Sequence, residues 1–122
     1  MKETADHCVV WVTAPDAEVA RGLARAALEA RLVACANVVP QVESHYWWQG
    51  RIEISGELLV MFKTRRDRLA ALERLVMERH PYDTPEFVVL PVGAGSERYL
   101  DWIDASMAIS PPPGPPSSGP SA

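Results

Sequence analysis

The sequence predicts an α+β fold built on an antiparallel sheet, and three observations lead to it. Runs rich in Val and aromatic residues alternate with segments whose apolar positions recur at helical spacing. Gln49-Gly50 lies between two long strand-like runs, the signal of a hairpin and therefore of antiparallel pairing. Several strand-like runs, among them Val9-Val10-Trp11-Val12, are apolar at consecutive positions, so the sheet carries apolar side chains on both faces.

His7 to Ala14 is Val-rich and stops at Pro15, which marks a first strand. Thr13 and Asp16 both suit the cap of a following helix, Asp16 also favouring its positive end. From Glu18 to Arg31, Val19, Leu23, Ala26 and Ala30 form an apolar helical stripe, with abundant alanine for close packing on a sheet. Val33 to Val39 returns to strand character. Pro40 interrupts it, which predicts an edge strand with a bulge before the run resumes from Val42 to Trp48. After the Gln49-Gly50 turn, Arg51 to Thr64 reads as a long strand with an irregularity at Gly56.

Thr64-Arg65-Arg66-Asp67 resembles a capping box for a second helix, whose stripe runs through Leu69, Leu72, Leu75, Val76 and Arg79. His80-Pro81 ends that helix, because a residue before proline avoids the helical region. Phe87 to Val92 is a fourth strand. Gly93-Ala94-Gly95 breaks it, and Ser96 with Glu97 opens a last helix carrying Tyr99, Trp102, Ile103 and Met107. The order is βαββαβ plus a C-terminal helix, the ferredoxin-like arrangement of a four-stranded antiparallel sheet with two helices on one face.

A length of 122 residues supports one domain, placed at 1–110. Residues 111–122 hold only Pro, Gly, Ser and a final Ala, and read as a mobile, partly polyproline tail. The net charge of -4 leaves no electrostatic footprint for nucleic acid or an anionic membrane. No apolar run approaches the ~18 residues of a membrane span. The acidic N-terminus runs directly into a strand, which argues against a signal peptide. With only Cys8 and Cys35, no disulfide framework is implied, and a reducing cytoplasm is the expected location.

Two helices cover one face of such a sheet, while Leu58-Leu59-Val60-Met61-Phe62 and Phe87-Val88-Val89-Leu90 place apolar side chains on both. A patch of that kind exceeds what soluble monomers usually expose, so the chain is expected to self-associate.

Few residues offer chemistry. His80 presents an imidazole for copper or zinc, or else a helix C-terminal residue favoured by the dipole; His7 and His45 have less support. Cys35 is a soft donor or a small strand hydrophobe, and Cys8 lies in an expected core strand. No C-x2-C or H-x3-H spacing marks a zinc site within one chain, though a site shared between chains escapes that test. Gly93-Ala94-Gly95 lacks the third glycine and the next strand of a dinucleotide loop. No motif couples a nucleophile to a base, so an enzyme is not expected.

Several blocks together resemble the CutA family, the divalent-cation tolerance proteins. They are Val12-Thr13-Ala14-Pro15-Asp16, Ala30 to Asn37, Ser44 to Ile52 followed by Glu57 and Lys63-Thr64, His80-Pro81-Tyr82-Asp83-Thr84-Pro85-Glu86, and Tyr99 to Ile103. The resemblance implies a ferredoxin-like homotrimer, similar in architecture to the PII signalling proteins, whose sheets pack inside and whose hairpins pair between subunits. It implies a non-enzymatic role in handling a divalent metal, copper first, with His80, Cys35 and Glu86 as ligands. Tyr46, Trp48, Lys63 and Glu86, with Glu57, match positions that look like the lining of a cleft between subunits, where an aromatic wall with one cation and one carboxylate suits a small polar ligand or anion. Some members carry a cysteine before the Pro-Asp of the first loop, and here that position is Ala14. The alternatives are a PII-like sensor of a small anion or metabolite, and a scaffold that anchors other proteins, with the Pro-rich tail as one point of attachment.

Overall fold

The computed structural model describes residues 1–108; the segment 111–122 lies outside the described residues. In chain order the elements are β1 (Lys2–Glu3), β2 (His7–Ala14), α1 (Ala17–Glu29), β3 (Cys35–Trp48), β4 (Arg51–Arg65), α2 (Leu69–Arg79), β5 (Val88–Pro91), β6 (Ala94–Gly95) and α3 (Glu97–Ala108). The main sheet has the order β3-β4-β2-β5 with every neighbouring pair antiparallel, which is the ferredoxin-like arrangement.

Asp16 caps α1, its carboxylate accepting the Val19 N–H at 2.9 Å. Asp16→Ala is expected to cost about 1 kcal/mol, measurable as a lowered urea midpoint at unchanged m-value. The helix is shorter than its spacing suggests. Arg31 adopts φ 59, and the turn closes with Arg31 N–H on Leu28 O and Leu32 N–H on Ala27 O, both at 3.0 Å. That left-handed turn carries a side chain where glycine is usual, and it is held by Arg31 donating to Ser106 O and Arg68 donating to Arg31 O. The buried face of α1 is Ala20, Leu23 and Ala27, one position round from the expected Ala26 and Ala30. Alanine-rich helices pack on either flank of a leucine, so the stripe alone did not settle the rotation.

The bulge falls where Pro40 predicts, between Val39 and Val42, with Gln41 at φ 64. It lies wholly in β3, and Gly56 pairs regularly with Glu43. Gln49 (φ 50) and Gly50 (φ 78) close the hairpin in the doubly positive conformation whose twist suits two-residue turns. The capping box at Thr64 does not form. Its hydroxyl donates to Leu32 O at 2.7 Å, and a short 3-10 turn over Arg66–Arg68 leads into α2. The fourth strand is trimmed to Val88–Pro91. Ala94 and Gly95 pair with β1, so the glycine-rich stretch forms a small ladder instead of a ligand loop.

One core joins Val10, Val12, Val60 and Phe62 of the sheet to Ala20, Leu23 and Ala27 of α1 and Leu72 and Val76 of α2. A smaller one, of Ala34, Leu100, Ile103 and Met107, seats α3. Asp104 anchors α3 to the sheet end, accepting from His7 Nε2 at 2.8 Å and from Arg65. Burial opposes its charge, but the bonds from His7 and Arg65 prevail and hold the carboxyl below its usual range. Its contribution is therefore present above the ordinary carboxylate pKa and is lost as pH falls through the lowered one. Asp104→Asn is expected to destabilise the protein at pH 7, with the gap to wild type closing in urea titrations as pH falls below the ordinary carboxylate range.

The residues that alternate with this core point to the opposite side of the sheet. Trp11 (39% exposed), Val88 and Leu90 lie there with the half-buried Val9, Leu59 and Met61, an apolar surface that the chain's own helices leave open. The main sheet is thus apolar on both sides, as the strand patterns predict.

Candidate functional site

The hairpin reaches beyond the core, and beside it lies a cleft of about 1000 Å3. Ser44, Tyr46 and Trp48 of β3 pair with Ser55, Glu53 and Arg51 of β4, so their side chains share one face of the arm. Tyr46 Oη and Ser55 Oγ are hydrogen-bonded at 3.1 Å across it. The facing wall is the loop after α2, with Tyr82, Asp83, Thr84 and Glu86, and Thr13, Pro15 and Glu57 line the space between.

His80 sets the position of that loop. Its ring is buried; Nε2 donates to Thr13 O at 2.7 Å, and Nδ1 accepts the Tyr82 N–H at 3.1 Å. The Tyr82 ring packs against it with centroids 4.6 Å apart, and the Tyr82 hydroxyl donates to Glu57 Oε2 at 2.7 Å. Burial, then the bond to Glu57 and its charge, raise the Tyr82 pKa and keep the phenol protonated. Glu57 is only 8% exposed. Burial first, and then the neighbouring Glu57 charge, push the Glu86 carboxyl up. Glu53 and Asp83 also line the cleft, and no lysine or arginine among the described residues does. The cleft is strongly electronegative.

Tyr46, Trp48, Glu57 and Glu86 line this cleft of the single chain, and Lys63 does not. Its Nζ donates to Asn37 Oδ1 at 2.6 Å and sits 6.0 Å from the Tyr99 ring; it shares a face of β4 with Glu57 but lies six residues further along the strand. Cys35 pairs directly opposite Lys63, its thiol 3.6 Å from Asn37 Oδ1. His80 has both ring nitrogens engaged. His80, Cys35 and Glu86 thus sit apart, and no group of three or more His, Cys, Asp or Glu side chains among the described residues is placed to hold a metal ion. His7 is buried between Thr4 and Asp104, and burial raises the thiol pKa of Cys8. Lining residues that the sequence did not assign to the cleft include His45, Trp47, Glu53, Tyr82 and Asp83. Tyr82 and Asp83 belong to the His80–Glu86 block, which was the available signal. Strand alternation at the arm was the signal for Glu53.

The family described as the CutA1 divalent ion tolerance protein matches residues 8–106. The chain belongs to this family. It is 45% identical over 95 residues to the divalent-cation tolerance protein CutA of Thermus thermophilus, covering 78% of this chain and 92% of that one. It is 41% identical to "Protein CutA 1, chloroplastic" of Oryza sativa over 84% of this chain, and spans 58% of that protein's length. The Arabidopsis thaliana relative is spanned over 57% of its length. Among solved structures, CutA of Synechococcus elongatus superposes with a TM-score of 0.82 at 40% identity, over 86% of this chain and 93% of that one. The CutA1 fold and the cleft therefore belong to one matched region. No helix among the described residues is long and apolar enough to cross a membrane.

Proposed function

We propose that this CutA1-family chain contributes to divalent-cation tolerance by binding the cation, without catalysis, as a homotrimer whose copies meet on the open sheet face. The observation that carries the cation reading is Glu57, a carboxylate almost wholly removed from water beside Glu86, with neither paired to a lysine or arginine among the described residues. A buried charge without a partner favours an incoming cation. Carboxylate oxygens and the one imidazole of the cleft, His45, are donors that divalent ions use, and imidazole extends the set to copper. Side chains of a neighbouring copy, or water, complete the coordination that one chain leaves short.

The free thiols of Cys8 and Cys35 suit a reducing compartment such as the cytoplasm. The alternative, a sensor of anions, has less support within one chain, since no lysine or arginine among the described residues lines the cleft. Any anchoring role of segment 111–122 lies outside the described residues.

Titration of Cu(II) and Zn(II) into the full chain tests the reading. Saturable binding tighter than about 1 mM is expected, weakened in Glu57→Gln and Glu86→Gln. Affinity should also fall as pH drops through the raised Glu86 pKa, because protons then compete for the carboxylate. Variants that bind like wild type would refute it.

A further inference from the structure

The C-terminal helix α3 is seated apart from the main core. Leu100, Ile103 and Met107 pack with Ala34 in a cluster of their own, over the end of the sheet where His7 and Arg65 stand as direct partners on β2 and β4. Both of those side chains donate to the Asp104 carboxylate of α3. An element resting on a small satellite cluster opens at a lower free energy than the core beside it, unless something else fastens it.

Residues 2–7 supply that fastening. Lys2 and Glu3 pair with Gly95 and Ala94, at the foot of α3, and the Thr4 N–H donates to Gly93 O at 3.1 Å. The segment is pinned in turn to the chain after β4, where the Arg66 side chain donates to Ala5 O at 2.8 Å and its backbone N–H to Asp6 O at 2.9 Å. Lys2 Nζ lies 3.8 Å from Asp101 of α3, an exposed pair that adds little.

One buried ring joins this segment to the middle of the helix. His7 is 4% exposed, and its Nε2 donates to Asp104 at 2.8 Å. The neutral ring therefore meets Thr4 with a bare Nδ1, and the Thr4 hydroxyl donates to it. The same hydroxyl oxygen accepts the Asp6 N–H at 3.1 Å. Each group satisfies the next, so losing the Thr4 hydroxyl leaves a buried ring nitrogen unpaired. Thr4 and His7 both precede residues 8–106, the region matched to the CutA1 family, whereas Arg65 and Asp104 lie within it. From the Thr4–His7–Asp104 relay and the ladder at the foot of α3, we infer that residues 2–7 are a strap over α3, and that strap and helix open together as one latch, separately from the main core. Neither Glu57 nor the cleft takes part, so the latch stands or falls independently of the cation reading.

Amide hydrogen exchange of the full chain tests this, followed on peptides from α3 and, as an internal reference, from α1 and α2. Thr4→Val keeps the shape of the side chain and removes the hydroxyl. It is expected to speed exchange in α3 at least about fivefold while α1 and α2 stay within roughly twofold of wild type. Thr4→Ser keeps the hydroxyl and is expected to match wild type. Unchanged exchange of α3 in Thr4→Val would overturn the latch. So would acceleration shared equally by α1 and α2, which is a loss of global stability, or equal effects of the Val and Ser variants, which would take the hydroxyl out of the relay.

Discussion

Trp11→Glu is expected to convert the proposed trimer into folded single chains. Trp11 stands on the central strand β2, directly between Met61 of β4 and Val88 of β5, at the middle of the open face. Its sequence neighbours Val10 and Val12 point the other way and are fully buried, so the core under the helices is not touched by the change. In an isolated chain the new carboxylate sits in water at little cost. In a trimer joined through this face, three such carboxylates would be buried near one another, and the penalty of several kcal/mol per unpaired charge outweighs the apolar gain. Sedimentation at micromolar concentration should show trimers for wild type and single chains for Trp11→Glu, with matching far-UV spectra. Equal masses for the two proteins would place the interface elsewhere.

Glu57→Gln is expected to stabilise the protein in cation-free buffer. The amide oxygen still accepts from Tyr82, so the geometry of the loop after α2 is kept, and the charge that burial disfavours is gone. An unsatisfied buried polar group costs about 1–3 kcal/mol, with charged groups at the upper end, which corresponds to a rise of several degrees in Tm for a domain of this size. The effect carries the opposite sign to that of most buried substitutions. Glu86 follows the same logic more weakly, its carboxyl pushed up first by burial and then by the Glu57 charge.

Much of this architecture was legible because local chemistry and tertiary structure agree. Asp16 caps, Pro40 places the bulge, Gln49-Gly50 turns and His80-Pro81 stops a helix, each acting within a few residues of itself. The rotation of α1 was not legible, since Ala26 and Ala27 differ in what they face and not in what they are. The ladder between β1 and β6 was missed because two-residue strands have no period. At the site, the resemblance of the hairpin and of the His80–Glu86 block to the CutA family pointed to Tyr46, Trp48, Glu57 and Glu86. Lys63 shares a face of β4 with Glu57 but lies about 20 Å along the strand from it, so within one chain it does not line the cleft. His80 looked like a ligand because nothing in sequence reveals that Thr13 O and the Tyr82 N–H occupy its two nitrogens.

The most direct test is a pair of melting curves, wild type and Glu57→Gln, each run after chelation and again with excess Zn(II). The account predicts that the order reverses. The variant melts higher without the ion, and wild type climbs with it, by about 2.7 kcal/mol when the free ion is 100-fold above Kd, while the variant hardly moves. Two proteins that respond to zinc alike, or a variant that melts lower in both conditions, would show that Glu57 is not waiting for a cation.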